Sequence, residues 1–157
     1  QGSFNASDVT AFNNGEPNGK VAKDHGYKHG VVKCVFDPSA NTGERTVAAH
    51  GCGAFIPAKS YVTKAYYKVI TTFTSPTTDD ATIAISVASA NDIVSAVSID
   101  TGTTWDESGL IVGIPTGALS NEVAVATKLE VTFTVAVEAL TAGKLVLWVE
   151  YVYYGDI

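Results

Sequence analysis

Between Lys128 and Val137 hydrophobic and polar residues alternate without a break. Leu129, Val131, Phe133, Val135 and Val137 fall on one side, and Lys128, Glu130, Thr132, Thr134 and Ala136 on the other. Successive side chains of an extended chain point to opposite faces, so this pattern predicts an antiparallel strand with one face on a core and the other in water. Ile83, Ile85 and Val87 against Thr82, Ala84 and Ser86 repeat it. Further runs rich in β-branched and aromatic residues, "VVKCVFD", "RTVAAH", "YVTKAYYKVITTF", "IVSAVSI" and "KLVLWVEYVYY", are separated by the turn-forming clusters "DPSANTGE", "TSPTTDD", "DTGTTWDESG" and "LTAGK". The link "EALTAGK" is short enough to predict that residues 128–137 fold back on 144–154 as a hairpin. Helical periodicity is almost absent. In residues 120–130 a Ser precedes possible helix formers, but the Val content and strict alternation favour an extended segment. Seven or eight short strands at this spacing predict an all-β chain, an antiparallel β-sandwich of jelly-roll-like type.

Two strands depart from the half-buried pattern. In residues 61–72 one alternate set is Tyr61, Thr63, Ala65, Tyr67, Val69 and Thr71, and the other is Val62, Lys64, Tyr66, Lys68, Ile70 and Thr72. Neither is a plain hydrophobic face. In residues 144–154, Leu145, Leu147, Val149, Tyr151 and Tyr153 share one face while Val146, Trp148, Val152 and Tyr154 share the other, with Glu150 as its only charge. A small sandwich has one inner face per sheet, so a second apolar face implies cover by an arm, a loop or a neighbouring subunit. Tyr61, Lys64, Tyr66, Lys68, Trp148 and Tyr154 are the candidate contact residues.

Residues 1–30 are dense in Gly and Asn and keep no period of 2 or 3.6, which predicts an extended N-terminal arm or loop ahead of a sandwich domain spanning 31–157. At 157 residues the chain fits one domain, large enough to bury a core without staples. Its 46% hydrophobic and 17% charged content excludes a disordered chain, and no apolar run approaches the roughly 20 residues of a membrane-spanning helix. The net charge of −6, with Lys and Arg scattered, leaves no basic stripe for a phosphate backbone. Neither membrane nor nucleic acid is an expected partner. The chain has no Met and begins at Gln1, which reads as processing, a removed leader or trimmed numbering.

Candidate chemistry is sparse. Cys34 and Cys52 form an even pair, a candidate disulfide in an oxidising compartment and two thiols in a reducing one. His25, His29, Cys34, His50 and Cys52 are the ligand types zinc accepts, but they lack the tight paired spacing of structural zinc sites, so ordinary loop histidines are the expectation. Asp100, Asp106 and Glu107 in "DTGTTWDESG" lack the rhythm of a calcium loop and read as turn carboxylates around an aromatic plug, Trp105; Asp79 and Asp80 read as solvated turn charges. No Gly-x-Ser-x-Gly elbow and no Gly-rich phosphate loop is present, so no catalytic residue, metal or cofactor is assigned.

The strings "RTVAAHG", "IPAKSYVTKAYY", "TTFTS", "ATIAI", "NDIVSAVSI" and "VEALTAGKLVLWVEY", spread over residues 46–154, resemble head decoration or cement proteins of tailed phages. The resemblance implies a non-enzymatic virion structural protein on the capsid surface that bridges subunits of the major capsid protein and stabilises the shell. It offers no catalytic residues. Such a subunit is expected to be a homo-oligomer, a trimer ahead of a dimer, because closed cyclic symmetry suits local three-fold junctions. Residues 1–30 would then be an arm that orders on a neighbour. Two other readings remain open at this stage. One is a secreted β-sandwich module that binds carbohydrate through exposed Trp105 or Tyr residues, and the other a fibre or pilus subunit assembling by strand donation from residues 1–30.

Overall fold

A computed structural model describes residues 28–102, 104–106, 111–113 and 123–155. The chain forms β1 (Lys28–Phe36), β2 (Ala49–Ile56), β3 (Ser60–Thr74), β4 (Thr82–Ser86), β5 (Val94–Ser98), β6 (Ile111–Gly113), β7 (Val123–Val125), β8 (Leu129–Ala136) and β9 (Ala142–Tyr153). Among the described residues the helical content is one short 3-10 turn, Thr42–Arg45. The strands make two antiparallel sheets. The first runs β1-β9-β3-β6, with β7 also pairing β3; the second runs β2-β8-β4-β5. The all-β antiparallel sandwich expected from the sequence is therefore present.

The core lies between the sheets. Cys34, Phe36, Val62, Tyr67, Leu145, Leu147 and Val149 from the first sheet meet Ile56, Ile83, Ile85, Val131, Phe133 and Val135 from the second. Aromatic rings run through it. Phe36 stacks on Phe133 with centroids 4.7 Å apart, and Phe73 lies 5.9 Å from Phe36 and 6.1 Å, edge-on, from Trp105. Such pairs add to the area they bury.

Four sequence expectations need correction. Residues 128–137 and 144–154 are not a hairpin: β8 pairs with β2 and β4, β9 with β1 and β3, and the link between them crosses from one sheet to the other. It is held as an arch, with Leu140 buried, Leu140 N donating to Arg45 O and Thr141 N to Thr74 O. Val137 does not reach the core. The strand ends at Ala136, and Val137, 71% exposed at φ 69°, turns the chain. "RTVAAH" is mostly not a strand, because Arg45 ends the 3-10 turn and β2 starts at Ala49 and runs on through "GCGAFI". Finally, β1 begins at Lys28, inside the stretch read as arm; residues 1–27 lie outside the described residues.

The mixed texture of residues 61–72 has a local cause. Val62 pairs with Tyr151 and Lys64 with Glu150, so Thr63 is an extra residue, a β-bulge that resets the alternation. Ahead of it Val62 is buried and Tyr61 faces out; after it Ala65, Tyr67 and Val69 are buried while Lys64, Tyr66 and Lys68 face out. Ile70 is a second extra residue, between the Val69–Leu145 and Thr71–Lys144 pairs. Each alternate set is mixed because the strand changes phase.

Candidate functional site

The outer face of the first sheet brings together the residues the sequence marked. The pairings align Lys33 with Trp148 and Trp148 with Tyr66; Val31 with Glu150 and Glu150 with Lys64; Val35 with Val146 and Val146 with Lys68. A further row joins His29, Val152 and Tyr61, and the Tyr154 ring lies 4.9 Å from that of Tyr61. Trp148, Tyr66, Tyr61 and Tyr154 are half-buried, Lys64 and Lys68 exposed. The six predicted contact residues thus share one face.

Aliphatic and cationic groups are interleaved on that face. Val31, 57% exposed, and Val35 stand at its β1 edge; among the described residues Lys33, Lys64 and Lys68 surround Glu150, and Lys144 is paired with Asp37 at one end. The Lys64 ammonium sits 5.0 Å from the Tyr66 ring centroid, and its pKa is raised by the Tyr66 contact first and by Glu150 to a smaller degree. It stays cationic at any physiological pH. Stacking on Tyr66 holds the lysine along the sheet rather than leaving it free in water. Tyrosines, a tryptophan and lysines side by side with valines are a composition found at contacts between proteins. Val31, Lys33 and Val35 were not marked from the sequence. Period 2 in "VVKCVFD" is visible, but the placing of β1 beside β9 is a long-range pairing.

The remaining candidates separate. Trp105 is 1% exposed, donates from Nε1 to Val97 O at 3.0 Å and stacks on Tyr67 at 5.3 Å. It is the plug expected of its loop, and the carbohydrate reading loses its exposed Trp105 platform. Burial also raises the Tyr67 hydroxyl to a pKa of about 12, while that hydroxyl donates to Thr104 O. His50 Nε2 donates to Thr46 O at 2.8 Å, and its ring centroid is 6.1 Å from that of Phe36. His25 and Glu107 lie outside the described residues, among which no three metal-ligating side chains gather. Asp79 accepts from Ser75 N at 2.7 Å and Asp80 from Thr78 Oγ1 at 2.6 Å, so both close the β3–β4 turn.

Cys34 and Cys52 come together as free thiols. Cys34 is buried on the inner face of β1, Cys52 half-buried on β2, and they hydrogen-bond each other. That contact, followed by burial, pushes the Cys34 thiol up, while the hydrogen bond from Cys34 pulls Cys52 down. Cys52 is the sulfur that ionises first.

No family model and no curated protein matches the chain. Three solved phage capsids contain chains similar to it in structure. In the acidic stable capsid of Helicobacter pylori bacteriophage KHP30 the TM-score is 0.57 at 12% identity, covering 83% of this chain and 93% of that one. The cyanophage Pam1 capsid asymmetric unit gives 0.55 at 17% identity, over 81% and 86%. The capsid of Ralstonia phage GP4 gives 0.54 at 15% identity, also over 81% and 86%. At such identities the likeness is one of fold, and it spans nearly the whole of each neighbour.

Proposed function

We propose that this chain is a non-enzymatic structural subunit of a phage virion, a head decoration or cement protein that binds the outside of the capsid shell and stabilises it as a homo-oligomer, a trimer ahead of a dimer. The observation that carries the reading is the fold likeness to chains of three phage capsids over more than four-fifths of the sequence. The strand order supports it. With β7 counted as an extra strand on β3, the orders β1-β9-β3-β6 and β2-β8-β4-β5 are those of a jelly roll, an architecture used by viral capsid proteins. The proposed contact surface is the outer face of the first sheet. Lys33, Lys64 and Lys68 around Glu150 suit an acidic patch on the shell, and half-buried Trp148 and Tyr66 supply apolar contact at little cost in side-chain entropy.

The test is to mix the purified chain with phage head shells stripped of decoration. The expected result is co-sedimentation that saturates at a fixed ratio to the major capsid protein, with a shell melting temperature that rises with added protein, as mass action requires of a ligand selective for the assembled state. A chain that stays monomeric at high concentration and binds no shell overturns the proposal.

A further inference from the structure

We infer that Cys34 and Cys52 form a redox-convertible clasp between the two sheets, a thiol pair in reducing surroundings and a disulfide once a small-molecule disulfide reaches it. The placement carries the argument. β1 and β2 are edge strands, one on each sheet, and the sheets meet along them, with Cys34 paired to Leu147 on the inner side of β1 and Cys52 packed against the same core. A bond there joins the two layers where no backbone ladder does.

A disulfide requires Cα atoms within about 4.4–6.8 Å and a defined torsion, which rigid strands rarely offer by chance. Here one strand has slack. The β2–β8 pairing is interrupted between Gly51 and Phe55, with Gly53 at φ +74°, so Cys52 lies in a bulge not fixed rung by rung to β8. Gly53 N donates to Glu130 Oε1 at 2.7 Å, so a shift of the bulge gives up that side-chain contact but no rung of the ladder. The bulge also provides entry, since Gly51 and Gly53 on either side of half-buried Cys52 are exposed, whereas Cys34 is buried.

The chemistry balances with oxidised glutathione as the oxidant. The Cys52 thiolate attacks one glutathione sulfur, forming a mixed disulfide and expelling one glutathione thiolate. Cys34 then attacks Cys52 Sγ and expels the second glutathione, whose sulfur takes up the Cys34 proton. Two protein thiols are oxidised, one glutathione disulfide is reduced to two glutathione thiols, and the two protons the protein gives up end on those two sulfurs. The bond itself does not depend on the virion reading; only its timing does, as a link absent in a reducing host cell and formed on the released particle.

The test compares the purified chain in dithiothreitol and in oxidised glutathione. Expected under oxidant are loss of both free thiols, a mass lower by two hydrogens, one peptide joining positions 34 and 52, and a melting temperature higher by roughly 5–10 °C. Cys34→Ser should instead hold a glutathione adduct on Cys52 and gain no stability. Both thiols persisting in folded wild type, or an adduct on Cys52 that never closes, overturns the inference. Neither outcome bears on shell binding, so this test fails separately from the virion reading.

Discussion

Trp105 is a residue whose neighbours set its role. Its ring is enclosed by Tyr67 and Phe73 and its one donor is satisfied by Val97 O, so Trp105→Ala is expected to cost about 3–5 kcal/mol in denaturant unfolding. A similar loss is expected for Phe133→Ala, whereas Thr132→Ala on the other side of β8, with one long hydrogen bond to Ser86 O, should cost under about 1 kcal/mol. Gly143 is more restricted still. At φ +140° a Cβ would lie 2.1 Å from the Phe73 ring, so Gly143→Ala should destabilise by at least as much as an overpacked core, roughly 1–3 kcal/mol. The Asp37–Lys144 ion pair, 2.9 Å long, gives a pH signature. The Lys144 contact lowers the Asp37 pKa, so the pair's contribution is fully present above the unfolded carboxyl's value of about 4 and is lost as pH falls through the folded value. Asp37→Asn should flatten that acid limb by less than about 1 kcal/mol, since the lysine side chain is 39% exposed and solvent screens the pair. Of these environments, the plug at Trp105 and the inward Phe133 beside an outward Thr132 can be read from the sequence, and those of Gly143 and Asp37 cannot.

Strands were legible to the extent that they kept phase. The alternation in β8 located Val131, Phe133 and Val135 in the core, and the β4 residues Ile83 and Ile85 follow the same rule. β2 escaped because "AHGCGAFI" has two glycines and an interrupted register, which removes the β-branched signal on which strand prediction rests. β3 was recognised as a strand but its faces were not, because Thr63 shifts the phase part-way along. That bulge makes a counterintuitive expectation. Deleting one residue from a core strand normally turns every later side chain to the wrong face. Deleting Thr63 instead removes the extra residue, keeps Val62 opposite Tyr151 and Lys64 opposite Glu150, and should leave a folded protein with a cooperative melt. Deleting Thr134 from β8, whose pairing with β4 is uninterrupted from Thr82–Ala136 to Ser86–Thr132, should prevent folding. Equal behaviour of the two deletions in circular dichroism and thermal melts would refute this account of β3.

At the scale of the molecule, local signals misled where the connections cross between sheets. "EALTAGK" has the length of a hairpin loop, yet the chain uses it to carry β8 in one sheet to β9 in the other, because both strands need partners on two sides and find them at long range. That the marked residues share one face was legible for the opposite reason: β9 carries apolar residues on both sides, and only one side meets the core. If the other side meets an acidic patch on a capsid shell, changing the sign of the face should abolish docking while sparing the fold. Lys64→Glu with Lys68→Glu replaces two exposed side chains that make no core contact, so the melting temperature should move little while affinity for stripped shells falls at least tenfold. Wild-type binding should weaken with added salt, and the reversed face should lose that dependence. The arm expected in residues 1–30 is best tested by a cut ahead of Lys28, because Lys28–Gly30 pair with Tyr151–Tyr153 and a cut after Gly30 would strip the start of an edge strand. Truncation to residue 28 should preserve the two-sheet melt and weaken shell binding if the arm orders on its neighbour. Unchanged binding after that cut would confine attachment to the sheet face, and unchanged binding after the charge reversal would move it off that face altogether.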